Sequence, residues 1–239
     1  MLRGRAVVGG LVLVILSGGA VGLSGCGKSG YQYVENEDLG VFARLPDDWA
    51  VYDEEDLLAA GGDAELSEEE AERRVGGTWF RGFDSSDDPS IEGVVSKLAG
   101  DTPHGFVRVE ALPPNLAEQA NRTMLRLLPT NAQIPISVTE RTPGIQVVLD
   151  ESVEFDGGFH GVHTVAAISP SELGIPLAET TDEDEDEEIA MVDQTVVLDP
   201  SGNTVYMFVV SCDRHCYLDT HDDVIQDLVE SWTIQEDGR

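Results

Sequence analysis

The string GLSGCGKS, residues 22–29, places Gly22, Gly27, Lys28 and Ser29 at the spacing G-x-x-x-x-G-K-[ST]. A loop of that spelling cradles phosphates on the backbone N–H groups of a helix start, and its Lys neutralises them. The same chemistry demands a buried strand feeding the loop and a helix leaving it. The upstream stretch AVVGGLVLVILSGGAVGL is too long for a core strand of about 5–6 residues. Downstream, SGYQYVENEDLG has two glycines and no helical period. Nucleotide binding is not expected.

Export explains the same residues better. Arg3 and Arg5 supply a charged start, residues 7–16 an apolar centre, and small residues follow, the three parts of a secretory signal. Leu23-Ser24-Gly25-Cys26 resembles the lipobox of bacterial lipoproteins. That resemblance implies cleavage after Gly25 and a diacylglycerol on Cys26, which would cut the phosphate-loop string in half. Each buried CH₂ of an acyl chain contributes about 0.8 kcal/mol, and two chains hold stably where one is marginal. The alternative, an uncleaved spanning helix, needs roughly 20 apolar residues. It fits poorly with the many glycines and with a Cys at the end of the run.

With Cys26 set aside, Cys212 and Cys216 remain. An even number of thiols in an exported chain points to a disulfide, worth about 2 kcal/mol for so short a loop. The alternative is zinc held by Cys212, His215, Cys216 and His221, although C-x₃-C with H-x₅-H is not a usual finger spacing. In the acidic run 179–188, Asp182, Asp184 and Asp186 match the first three ligands of a calcium loop. Glu187 and Asp193 stand where that loop needs Gly and Glu. The run reads as a solvated loop with at most diffuse cation binding. His160 and His163 lie three apart on an expected strand, so they point to opposite faces and read as ordinary hairpin residues. His104 and His221 read as residues near element ends. No G-x-S-x-G occurs. No catalytic residue, cofactor or metal site is expected.

The 239-residue chain has 14 Lys+Arg against 46 Asp+Glu, a formal charge of −32. Such a balance excludes nucleic acid, whose phosphates need clustered Lys and Arg, and excludes polybasic attraction to anionic lipid. Basic proteins, cationic ligands and divalent metals remain as partners, beside plain solubility. Only Lys28 and Lys97 are lysines, which suits a GC-rich actinobacterial coding bias. The expected organisation is a signal peptide over 1–25, the lipidated Cys and tether over 26–38, and one domain over 39–236.

The elements follow from periodicity. Residues 41–45 alternate as a strand, Pro46-Asp47-Asp48 turns, and Trp49 anchors a core. Ser67 to Glu70 has capping-box form, so a short helix is expected over 68–75. Residues 77–83 and 104–112 read as strands, the second with one buried face. Asn115 caps a helix whose apolar face is Leu116, Ala120, Met124, Leu127 and Leu128. Asp156-Gly157 joins strands 145–155 and 158–169 in a hairpin, and residues 200–203 join 190–199 to 204–212 in another. Thr220 caps a last helix, with Val224, Ile225, Leu228, Val229 and Trp232 on one face. The fold class is α+β, an antiparallel sheet flanked by helices.

Leu45-Pro46 followed by Trp49, the segment DGGFHGVHTVAAI, Cys212/Cys216 in VVSCDRHCY and Ser231-Trp232 resemble the actinobacterial LpqN/LpqT-type lipoproteins, over roughly residues 31–236. The resemblance implies a PsbP-like α/β/α sandwich and an exported, anchored domain on the outer face of the cell membrane, without established catalytic residues. Three functional readings follow: a non-enzymatic envelope module that binds or helps assemble another protein, a carrier of a lipid or other small apolar ligand, and an unrecognised hydrolase.

Overall fold

Strands rich in Val, Phe and Tyr form the frame. The computed structural model describes residues 30–60, 78–96, 99–117, 125, 143–169 and 189–235. The lipobox with Cys26, the leader 1–25, the helix expected over 68–75, most of the helix expected after Asn115 and Asp182, Asp184 and Asp186 lie outside them. Asn115 itself stands inside a helix that begins at Pro114 rather than capping it.

The strands are β1 (Tyr31–Asn36), β2 (Val41–Pro46), β3 (Ala50–Tyr52), β4 (Thr78–Asp84), β5 (His104–Ala111), β6 (Ile145–Phe155), β7 (Phe159–Ile168), β8 (Ala190–Leu198), β9 (Thr204–Asp213) and β10 (Thr233–Ile234). The helices are α1 (Glu54–Ala60), α2 (Ile91–Ser96), α3 (Pro114–Ala117), α4 (Arg214–Thr220) and α5 (Gln226–Ser231); a π-helical turn, His221–Ile225, joins the last two. Seven strands pair antiparallel in the order β3-β4-β5-β9-β8-β7-β6, and a smaller sheet runs β1-β2-β10. This is the α+β arrangement expected from the sequence.

Both faces of the large sheet are covered. Along β9, Tyr206, Phe208, Val210 and Cys212 point to one core, with β2 and the 214–231 helix. Val205, Met207 and Val209 point to the other, with Val94 of α2 and Leu125. Alternate residues enter opposite faces, so a strand covered on both reads as a continuous apolar run. The same cover corrects the one-faced reading of residues 104–112: Phe106 and Val107 are both buried, on opposite sides.

Two further corrections concern the ends of the domain. Residues 31–36, read as tether, form β1 and pair along their whole length with β2. Of the six, only Val34 is buried, so hydrophobic period gives no signal and backbone pairing supplies the order. The last helix starts earlier than Thr220. Asp213 is its N-cap, and its side chain accepts from the Cys216 N–H. The Thr220 hydroxyl donates to the Cys216 carbonyl at 2.7 Å instead. His221 therefore stands mid-helix rather than at an element end.

Phe208 is fully buried, with the rings of Phe83 and Trp232 at 6.0 and 5.7 Å. Phe208→Ala should destabilise the protein by about 3–5 kcal/mol, read as a lower denaturant midpoint. A loss under about 1 kcal/mol would show that this aromatic stack does not hold the helix to the sheet.

Candidate functional site

A single-residue irregularity in β6 creates the site. The pairing of β6 with β7 shifts register between Val147 and Leu149, which leaves Val148 as a bulged residue. A bulge reverses the alternation downstream. Ile145 and Val147 pack into the core beside α2, whereas Val153 and Phe155 pack on the opposite core. Leu149, Glu151, Val153 and Phe155 thereby line one side of a cleft beneath the C-terminal helix. Turns of that helix supply Gln226, Val229, Glu230 and then Trp232 on the other side, the i, i+3, i+4 spacing of one face. The cleft holds about 550 Å³.

The floor is polar. Glu151 pairs directly with His163, and His163 with Thr195; Asp193 lies two residues before Thr195 on the same face. His163 Nε2 stands 2.8 Å from Asp193 Oδ1, and Nδ1 stands 3.2 Å from Glu151 Oε1. The Tyr217 hydroxyl of α4 donates to Asp193 Oδ2 at 3.0 Å. Asp193 is only 3% exposed, and both its oxygens have partners, as a buried carboxylate requires.

Both ring nitrogens of His163 face carboxylate oxygens, an arrangement that only the doubly protonated ring satisfies. Burial alone would lower its pKa. The hydrogen bonds and negative charge of Asp193 and Glu151 outweigh that, so the value is raised above 6.5. Burial, reinforced by the charge of Asp193 and the bond to it, pushes the Tyr217 hydroxyl well above its ordinary value, so it stays a donor.

His163, expected from the sequence to be an ordinary hairpin residue, has a largely covered ring paired with two carboxylates. His160, on the opposite parity, is exposed. The signal for the site is a Glu and a His on facing strands of one hairpin, but the bulge conceals that Glu151 falls on the side of His163. Cys212 and Cys216 are joined in a disulfide, with Cα atoms 6.0 Å apart. Their sulfurs are thus not free to join His215 and His221 around zinc. His215 is exposed, 3.3 Å from Asp219, and the His221 ring lies 5.0 Å from that of Tyr217. Among the described residues no cluster of His, Cys, Asp and Glu could hold a metal ion, and no helix is long and apolar enough to cross a membrane.

No family model matches the chain, and no curated protein matches it. Solved structures do. Cyanobacterial PsbP from Synechocystis sp. PCC 6803 is similar at a TM-score of 0.45 and 10% identity, over 88% of this chain and 96% of that one. LpqN of Mycobacterium tuberculosis, described as involved in cell envelope biogenesis, is similar at 0.41 and 16% identity, over 86% and 91%. The Saccharomyces cerevisiae Ran-binding protein Mog1p gives 0.35 at 8% identity, over 85% and 95%.

A histidine whose folded pKa is raised contributes stability that is fully present below the unfolded value and lost as pH climbs through the folded one. Stability should fall as pH rises from 6.5 through the raised value of His163. His163→Gln should flatten that part of the curve in denaturant titrations across pH. An unchanged slope in the variant would show that the His163 charge does not stabilise the fold.

Proposed function

We propose that this chain is a non-enzymatic binding module of the cell envelope, exported and held at the outer face of the cell membrane by acyl chains on Cys26. Its working surface is the cleft between β6–β8 and the C-terminal helix. The observation that carries the reading is the cleft itself. Its 550 Å³ lies in the range of small-molecule sites, which are concave, mostly apolar and carry a few convergent polar groups. Val153, Phe155, Val229 and Trp232 give the apolar wall, and the Glu151–His163–Asp193 chain gives the polar end. Both nitrogens of His163 are committed to carboxylates. The ring therefore serves as an ion-pair partner, whereas a hydrolase would need it free to accept a proton from a nucleophile. These features favour the carrier form of a binding module.

A second reading, assembly with an envelope protein, is favoured by β1. It ends the small sheet, so one backbone edge is unpaired among the described strands, and Tyr33 on it is 65% exposed. Edges of this kind accept an added strand.

Native mass spectrometry of gently purified full-length protein should show an added small-molecule mass. Val153→Trp, which fills the cleft, should abolish it without altering the unfolding temperature. Repeated clean apo masses would reject the carrier reading, and a single enriched cross-linked protein would then favour assembly. For the anchor, Cys26→Ala should abolish acyl labelling and move the protein out of the detergent phase. Retained labelling would place the lipid elsewhere.

A further inference from the structure

We infer that the cleft takes a hydrophobic cation, an alkyl or aromatic body bearing a protonated or quaternary ammonium group. This rests on the cleft being the binding surface. Its lining contains three carboxylates: Glu151 on the sheet side, Glu230 on the helix side and Asp193 on the floor. Among the described residues no Lys or Arg lines it, and its basic groups are His163 and His221. His163 is ion-paired to Asp193 and Glu151, and even with both histidine rings charged the three carboxylates outnumber them. Glu151 is 56% exposed along its side chain, and Glu230 is exposed as well, so both are accessible to a ligand at the mouth. One oxygen of Glu230 accepts from Gln226 Nε2 at 2.7 Å, which holds the carboxylate on the helix face.

The apolar wall suits the same ligand. The rings of Phe155 and Trp232 meet edge-on, 5.4 Å between centroids. Trp232 is buried and stacked on Phe208, so Phe155, half-buried, is the ring of the two that is open to a ligand. An aromatic ring beside carboxylates favours an ammonium group, because ring faces are negative. A carboxylate, sulfate or phosphate head would instead meet like charge with no Lys or Arg to neutralise it. The formal charge of −32 on the chain adds a long-range field that concentrates cations and repels anions.

The test compares octyltrimethylammonium, octyl sulfate and octyl glucoside, which share one tail and differ in head charge. The full lipidated protein is held in nanodiscs, with empty nanodiscs as reference, and binding is followed by tryptophan fluorescence and calorimetry. The cation should bind at least about tenfold more tightly than the other two, a difference of about 1.4 kcal/mol. Glu230→Gln should reduce that preference severalfold, whereas Phe155→Ala should weaken the cation and the glucoside alike. If the sulfate or the glucoside binds as well as the cation, the charge assignment falls while the cleft stands as a ligand site. If none of the three binds, both fall.

Discussion

A carboxylate buried in the middle of a sheet must be paired, or it costs several kcal/mol. Asp193 is such a group, inside a strand that is buried at every position from Ala190 to Leu198. Its two oxygens dictate two neighbours. His163 must lie beside it on β7, and Tyr217 must reach down from the helix above. The second contact fixes how far the C-terminal helix stands from the sheet. That height decides whether the helix closes onto β6 or leaves a gap, and here it leaves one.

The rest of the helix is held to match. At its start the Cys212–Cys216 disulfide ties the first turn to the end of β9, and Asp213 caps the same turn. At its end the Arg44 N–H donates to Ser231 Oγ at 3.0 Å, and the hydroxyl also reaches the carbonyls of Leu228 and Arg44. Trp232 then enters the aromatic core against Phe208 and Phe155. Covalent, polar and apolar contacts thus pin three points along one helix. An element so fixed presents Val229 and Glu230 to the cleft in a set position, which favours a preorganised binding surface over one that forms on contact.

Most of the sheet was legible because hairpins advertise themselves. Asp156-Gly157 has its glycine at φ +79°, the conformation this residue type supplies cheaply, and the flanking strands alternate as expected. The strand β1 was not legible, since five of its six residues are not buried and only pairing with β2 orders them. The helix start was misplaced because Thr220 followed by Asp223 has cap-like spacing. Asp213, seven positions earlier, has the same chemistry and is positioned by the end of β9. The site was illegible for a sharper reason. Regular alternation would put Ile145, Val147, Leu149 and Glu151 on one face, and a single bulged residue overturns that. Nothing in the composition of residues 145–155 announces a bulge at Val148.

That bulge also explains how one acidic edge strand contributes to both cores. Before Val148, β6 packs apolar residues against the α2 side. After it, the strand turns Val153 and Phe155 toward the helix and brings Glu151 opposite His163. An uninterrupted β6 would direct Glu151 to the α2 face, the side of His160, and away from His163. Continuing the register of Ile145 and Val147 would set Asp150 opposite His163 and put Ser152 and Glu154 where Val153 and Phe155 now stand, so the cleft would lose its apolar sheet-side wall. The same single-residue shift therefore supplies Glu151 as the second carboxylate on His163 and the apolar surface that faces the helix. The candidate site depends on one local departure from strand geometry.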